Sequence, residues 1–311
     1  MHLRLTIGIV IGMLLASAAV AAQENQPIAG IGPTGPVTKA HTGFQFTEGP
    51  AADAEGNVYF TDIPRNRILK AGTDGKLTTF LENSEGCNGL MFDAKGRLIA
   101  CQGRAGRVIA ISVSSKAIEV LAGEYDGKRF NAPNDLVLDK HGGVYFTDPS
   151  FGQGATQDKM AVYYVSAEKR VTRLIDDLSR PNGVILSPDE KTLYVLPSGS
   201  PDVMAYPVES PGKLAAGKVF CRLEQAPNAP MPRGGDGLTV DSKGNLYLTQ
   251  PGLIAIQVVN PEGKTIGLLK FPEAPSNCTF CGKDLKMLVV TARTSLYTLP
   301  MEATGHRFGA K

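Results

Sequence analysis

The chain has 311 residues, 42% hydrophobic and 20% charged, which excludes a disordered or fibrous polymer and is ample for a sizeable buried core. With 32 basic against 30 acidic side chains the net charge is only +2, arguing against a nucleic-acid binder built on a basic patch. Thirty-five Gly and 21 Pro fall short of a low-complexity composition and point to a fold with many turns.

Met1 to Ala22 comes first in chain order. Arg4 is a short basic start, Leu5 to Leu15 an apolar core, and Ala19-Val20-Ala21-Ala22 a run of small residues. This is the layout of a cleavable secretory signal, and the apolar run is short for a membrane span. The mature protein is expected in the periplasm or outside the cell, with no membrane association after cleavage. No later stretch is long and apolar enough to span a bilayer. Residues 23–36 read as a linker or arm.

Six segments then share one plan. An acidic or amide residue, usually followed by Gly, opens an apolar strand; a polar turn and a second strand follow. The openings are Glu48-Gly49, Asn88-Gly89, Asn134-Asp135, Asn182-Gly183, Asp236-Gly237 and Asn277-Cys278, spaced 40, 46, 48, 54 and 41 residues apart. Asp-x-x-Gly between β-branched or aromatic runs is a hairpin signal. One or two more short strands follow each hairpin, as at Asn66 to Ala71 and Leu77 to Leu81. Four strands per repeat of this length predict an all-β, six-bladed β-propeller over residues 37–303, with a C-terminal tail at 304–311. From Asn277 to Met301 there is room for only three strands. The strand read at Val37 to Phe46 is expected to complete the last blade and close the ring, leaving no long open edge.

The repeat register puts Glu48, Asn88, Asn134, Asn182, Asp236 and Asn277 at equivalent heights around the axis. Asn, Asp and Gly are common at strand starts, but loop preference does not account for six side-chain oxygen carriers in six repeats, nor for the long side chain of Glu48. Carboxylates and amide oxygens converging from separate strands suit a hard cation, and calcium takes about 6–8 oxygen ligands. Calcium is the favoured ion, with magnesium, manganese or zinc as alternatives. An open coordination position would admit water or substrate. Asp236, short and flanked by Gly234, Gly235 and Gly237, is the candidate general base; Glu48 holds charge. Asn88 faces the channel and could bond substrate or water. Arg104 follows a second strand, where it either reaches the rim to meet an anionic substrate or is simply solvated. Asp148 could be a substrate contact, but it occupies the same place in its blade as Asp62, which favours a backbone-capping residue. Phe151 to Gln157 is a Gly-containing loop that could cover the site. Gly152-Gln-Gly154 is no phosphate-binding fingerprint, because no helix follows it.

The five cysteines, Cys87, Cys101, Cys221, Cys278 and Cys281, leave at least one thiol free. Cys278-Thr-Phe-Cys281 is only half of a structural zinc site, so buried thiols or one local disulfide are expected there, and a Cys87–Cys101 bridge stays open.

The set Thr-Glu48-Gly-Pro, Asn-Ala-Pro-Asn134-Asp135, Phe-Thr-Asp148-Pro-Ser-Phe-Gly, Arg180-Pro-Asn182-Gly and Gly-Gly-Asp236-Gly resembles the senescence marker protein/gluconolactonase/luciferin-regenerating enzyme-like family, from about Phe46 to Thr291. The resemblance implies a six-bladed propeller with one divalent metal on its axis and, in many members, lactone hydrolysis. It implies Glu48, Asn182 and Asp236 as metal ligands, Asn134 as a fourth ligand or substrate contact, and Asp236 as the acid/base residue. Three departures stand out. Ala51-Ala52-Asp53 replaces the Trp that many members carry after Glu-Gly-Pro. Ala132 stands where mammalian-type members carry Arg. His41, His141 and His306, the histidines left after processing, do not suggest the His pair of paraoxonase-like propellers.

The expectation is therefore a metal-dependent lactonase acting on small-molecule sugar lactones or related esters, as a monomer or weak oligomer, with metal-activated water attacking the carbonyl. The rivals are a non-catalytic propeller with structural calcium and a strictosidine-synthase-like condensing enzyme, which would need a carboxylate base but no metal.

Overall fold

A computed structural model describes residues 25–309 except 152, 153 and 232. The signal segment expected over Met1 to Ala22 lies outside the described residues, which contain strands and turns but no helix.

Each repeat becomes an antiparallel sheet, because its apolar runs are too short for helices and are punctuated by Asp-x-x-Gly turns. In those turns one carboxylate oxygen caps the loop. Asp139 Oδ1 accepts from His141 N and Gly143 N, both at 2.8 Å, and Asp241 Oδ1 accepts from Lys243 N and Asn245 N, both at 2.9 Å. The innermost strands of the six blades are Thr47–Ala52, Cys87–Phe92, Leu136–Leu138, Pro181–Leu186, Leu238–Val240 and Pro275–Cys281. Each packs against the innermost strand of the next blade, and the sixth returns to the first. The sixth blade takes its outer strand, Thr38–Thr42, from the start of the chain, paired antiparallel to Ser295–Pro300. The expected closure is thus observed: the free edge of the last blade is covered by the chain's own beginning.

The ring is stitched near the axis by backbone carbonyls. Thr61 Oγ1 donates to Asn88 O (3.4 Å), Gly89 N to Asn134 O (2.7 Å) and Thr147 Oγ1 to Asn182 O (2.7 Å). Gly183 N donates to Asp236 O (3.0 Å), Gly237 N to Ser276 O (2.7 Å) and Ser276 Oγ to Thr47 O (2.7 Å), completing the circle. This explains the Gly after most repeat openings. Gly49 has φ +48°, and a Cβ there would lie 2.0 Å from Asn88 O.

Two segments read as peripheral are packed. The arm is fastened by Asn25, whose Nδ2 donates to Lys270 O (3.1 Å) and whose Oδ1 accepts from Lys270 N (2.6 Å). Ile31 is buried with Phe271, Tyr297 and Met301, a burial that stabilises by about 1.5–3 kcal/mol. The tail crosses the opposite end of the axis: Gly305 N donates to Leu285 O (2.8 Å), His306 N to Val240 O (3.1 Å), and Phe308 is buried against Val184 and Ile185. All five cysteines are buried free thiols, so neither a Cys87–Cys101 nor a Cys278–Cys281 disulfide is present. Burial in apolar surroundings pushes the Cys87, Cys221 and Cys281 thiols up to about 12, away from reactive thiolates.

Candidate functional site

The inner strands of blades one, two, four and six carry a register shift where the repeat opens: Glu48/Ala51, Cys87/Leu90, Pro181/Gly183 and Pro275/Asn277. A bulge breaks strict alternation and re-aims a side chain, which lets a polar residue at a strand start turn into the channel. In blades three and five the inner strand is shorter, and Asn134 and Asp236 precede it.

These openings meet at one end of the axis. Glu48, Asn88, Asn134 and Asp236 line a cavity of about 660 Å³ together with Phe46, Ile63, Arg104, Arg129 and Asn131. Asn182, buried beside them, donates from Nδ2 to Asp236 Oδ1 at 2.7 Å. Of the six repeat openings Asn277 lies deeper along the axis, where its side chain hydrogen-bonds Glu48 from below the cavity. Its Nδ2 donates to Asp135 Oδ2 (3.4 Å) and its Oδ1 accepts from Cys278 N (2.8 Å). A second cavity of about 390 Å³ at the far end is lined by Pro50, Met91, Ile185, Phe280 and the tail residues His306 to Phe308, and contains none of the ring. Among the described residues no histidine lines the first cavity.

Burial dominates the electrostatics. The Glu48 carboxyl is pushed well above its ordinary range by desolvation first, then by the negative charges of Asp236 and Asp135. Asp236 is raised to about 7 by burial, against the opposing pull of the Asn182 amide and the Arg293 charge. Asp135 is also raised to about 7, chiefly by burial, with hydrogen bonds from Leu136 N and Asn277 resisting and Asp236 adding repulsion. None of the three forms an ion pair among the described residues. Asn88 Oδ1 is buried without a hydrogen-bond partner. An orphaned acceptor beside crowded carboxylates is costly unless something positive or protic satisfies it. Among the described residues no three His, Cys, Asp or Glu side chains are grouped as metal ligands. The donors at this end are mixed carboxylate and amide oxygens, the set a hard cation takes.

Asp135 is the residue sequence reasoning missed. It stands where four other repeats have Gly, and that exception was the available signal. Arg293 was missed too, although it follows a second strand, the same reasoning that picked out Arg104. Asp148 is fully buried and caps the loop before Asn134: Oδ2 accepts from Asn131 N (2.9 Å) and Oδ1 from Ala132 N (2.7 Å). Asp62 does the same in blade one for Gln45 N (3.0 Å) and Phe46 N (3.3 Å). Burial raises Asp148 to about 7. Of the loop from Phe151 to Gln157, residues 152 and 153 lie outside the described residues. Phe151 and Gly154 line the cavity, and Thr156 N and Gln157 N donate to Asn131 Oδ1, both at 2.9 Å.

The family model of the SMP-30/Gluconolactonase/LRE-like region matches residues 46–294. A gluconolactonase of Zymomonas mobilis is 31% identical over 281 residues, spanning 82% of this chain and 78% of the relative. The lactonase drp35 of Staphylococcus haemolyticus is 29% identical over 239 residues, spanning 72% of this chain and 69% of the relative. Among solved structures, a gluconolactonase of Xanthomonas campestris superposes with a TM-score of 0.78 at 28% identity, covering 86% of this chain and 89% of that one.

Proposed function

This chain belongs to the SMP-30/gluconolactonase/LRE-like family, and we propose that it is a lactonase that opens sugar lactones or related cyclic esters at the Glu48–Asp236 end of the channel. The observation that carries this reading is the convergence of Glu48, Asn88, Asn134, Asn182 and Asp236, from five blades, on one end of the channel. Its relatives named gluconolactonase and lactonase belong to the hydrolase class expected from the sequence.

A divalent cation fits these residues. The unpartnered Asn88 oxygen and the buried carboxylates that lack ion-pair partners supply hard oxygen donors and negative charge for it. Glu48, Asn182 and Asp236 would hold the ion, with Asn134 as a fourth ligand or a substrate contact; the ion is calcium in our reading, with magnesium, manganese and zinc to be compared. When bound, such an ion supplies positive charge that polarises a carbonyl and favours loss of a proton from water.

The chain's own groups then have defined tasks. The Asn182 amide fixes Asp236 through Oδ1, which leaves Oδ2 to take a proton from water as the water oxygen attacks the lactone carbonyl carbon. The bond from that carbon to the ring oxygen breaks, and the ring oxygen recovers the proton, giving the open hydroxy acid. Asn88 and Asn134 project polar groups at the cavity wall, where they bind and orient substrate hydroxyls; Asn134 remains either such a contact or a fourth ion ligand. Arg104 lines the same cavity at its exposed rim. The signal-like segment Met1 to Ala22 supports an exported, periplasmic or secreted enzyme.

The test is hydrolysis of glucono-1,5-lactone by the mature protein, with and without chelator, followed by add-back of each ion. Activity lost on chelation and restored by one ion is the expected result. Turnover that persists after exhaustive chelation would remove the ion from the reading and favour a metal-free carboxylate mechanism.

A further inference from the structure

The short hairpin between blades two and three, Glu124–Tyr125 paired with Lys128–Arg129, lies outside the repeat. Its turn is Asp126-Gly127, both with positive φ (52° and 69°), as a tight two-residue hairpin requires. It delivers Arg129 to the wall of the catalytic cavity, beside Arg104.

The arrangement is built rather than incidental. Arg129 lies flat against backbone: Nη2 donates to Arg104 O (2.9 Å) and Nε to Phe130 O (3.3 Å). Gly106 makes the room, since a Cβ there would sit 2.7 Å from Arg129 Nε and 3.0 Å from its Nη2. Gly86 does the same for Arg104, whose Cβ would be 2.9 Å from a Cβ at that position. The hairpin is pinned from below by Gln157, only 5% exposed, whose Nε2 donates to Tyr125 O (3.0 Å), Lys128 O (2.7 Å) and Arg129 O (3.2 Å). Neither guanidinium is ion-paired among the described residues. The nearby Asp148 carboxylate is committed to the Asn131 and Ala132 amides.

We propose that Arg104 and Arg129 form an anion-recognising rim, so that the preferred substrate is a lactone carrying a carboxylate or phosphate remote from its ring carbonyl. This rests on the lactonase reading and gives its substrate class. The cavity carries two guanidiniums without ion-pair partners at its rim, Arg104 and Arg129, apart from the Glu48–Asp236 end where the ring is opened. An anionic substituent is drawn to the guanidiniums, and a ring held from there presents its carbonyl towards Asp236. Guanidinium groups suit both anions because their forked donors match planar carboxylate and phosphate oxygens.

The experiment compares steady-state hydrolysis of neutral glucono-1,5-lactone, glucaro-1,4-lactone and 6-phosphoglucono-1,5-lactone by the mature enzyme and by Arg104→Ala, Arg129→Ala and Arg129→Lys. Wild type is expected to prefer one anionic probe, and the better of the two names the anion. Each alanine variant should lose about 10- to 100-fold in kcat/KM on that probe, mainly through KM, with much smaller loss on the neutral lactone and partial rescue by lysine. Equal losses on all three probes, or none, would overturn the rim. Calorimetric binding of glucarate and 6-phosphogluconate separates this failure from failure of the lactonase reading. Arginine-dependent anion binding without any turnover keeps the rim and removes the lactonase. Turnover of glucono-1,5-lactone with no arginine dependence on any anionic probe does the reverse.

Discussion

Gly49→Ala tests the physical reason for the repeat opening. At this position two costs add. The backbone has φ +48°, where a side chain costs about 1–2 kcal/mol. The added Cβ would also sit 2.0 Å from Asn88 O, 2.8 Å from Asn88 C and 2.9 Å from Gly89 Cα, all backbone of the next blade that cannot swing aside. Overpacking of this kind costs about 1–3 kcal/mol, for a total of roughly 2–5 kcal/mol. Gly75→Ala is the control: φ is +79°, but nothing lies within 4 Å of the added Cβ, so only the backbone cost applies. The entropy gained by restricting the unfolded chain is common to both and cancels in the comparison. At about 2–4 °C per kcal/mol, Gly49→Ala should lower Tm by roughly 4–20 °C and Gly75→Ala by only about 2–8 °C. The assay is thermal and urea unfolding of both variants. If Gly49→Ala is no more destabilised than Gly75→Ala, the close approach of neighbouring blades does not explain this glycine.

Two further outcomes follow from buried and half-buried groups. Asp148→Ala strands the Asn131 and Ala132 amides, and at about 1–3 kcal/mol each it should cost roughly 2–6 kcal/mol in urea unfolding and raise KM by displacing Asn134. Burial lowers His306 below its ordinary value, so the unfolded tail binds a proton more readily than the docked one. The tail's contribution is therefore complete above pH ~6.5 and declines as pH falls below it; the amide protection factors over residues 304–309, each rate referred to the intrinsic rate at its own pH, should fall from pH 7 to 5, and His306→Gln should flatten that dependence.

The blades were legible because one physical constraint recurs. Each inner strand must bring a polar opening residue to the axis and let the next blade's carbonyl approach, which leaves Glu, Asn or Asp followed by Gly in the sequence. The closing strand was legible by counting, since the last repeat is one strand short. Asp135 was not, because in the repeat it occupies a glycine position and its burial depends on Asn277 reaching across from another blade. Arg129 was hidden because its hairpin belongs to no repeat, and its placement depends on Gly106 and Gln157, which are distant in sequence. The arm reads as a linker from its Pro and Gly, but Asn25, Ile28, Ile31 and Thr34 tie it down through residues more than 200 positions away. The absence of disulfides follows from where the thiols pack: Cys278 and Cys281 share one strand but enter different core clusters, as do Cys87 and Cys101 on neighbouring strands, which spacing alone does not reveal.

The most direct test of the site is the turnover of Asp236→Asn on glucono-1,5-lactone, measured by pH-stat beside its thermal unfolding. The substituted amide oxygen can still accept from Asn182, and one of three crowded carboxylates is gone, so Tm should be unchanged or higher. The account predicts a kcat reduced by about 10²- to 10⁴-fold in a fully folded protein. A folded Asp236→Asn variant that retains wild-type kcat would contradict it.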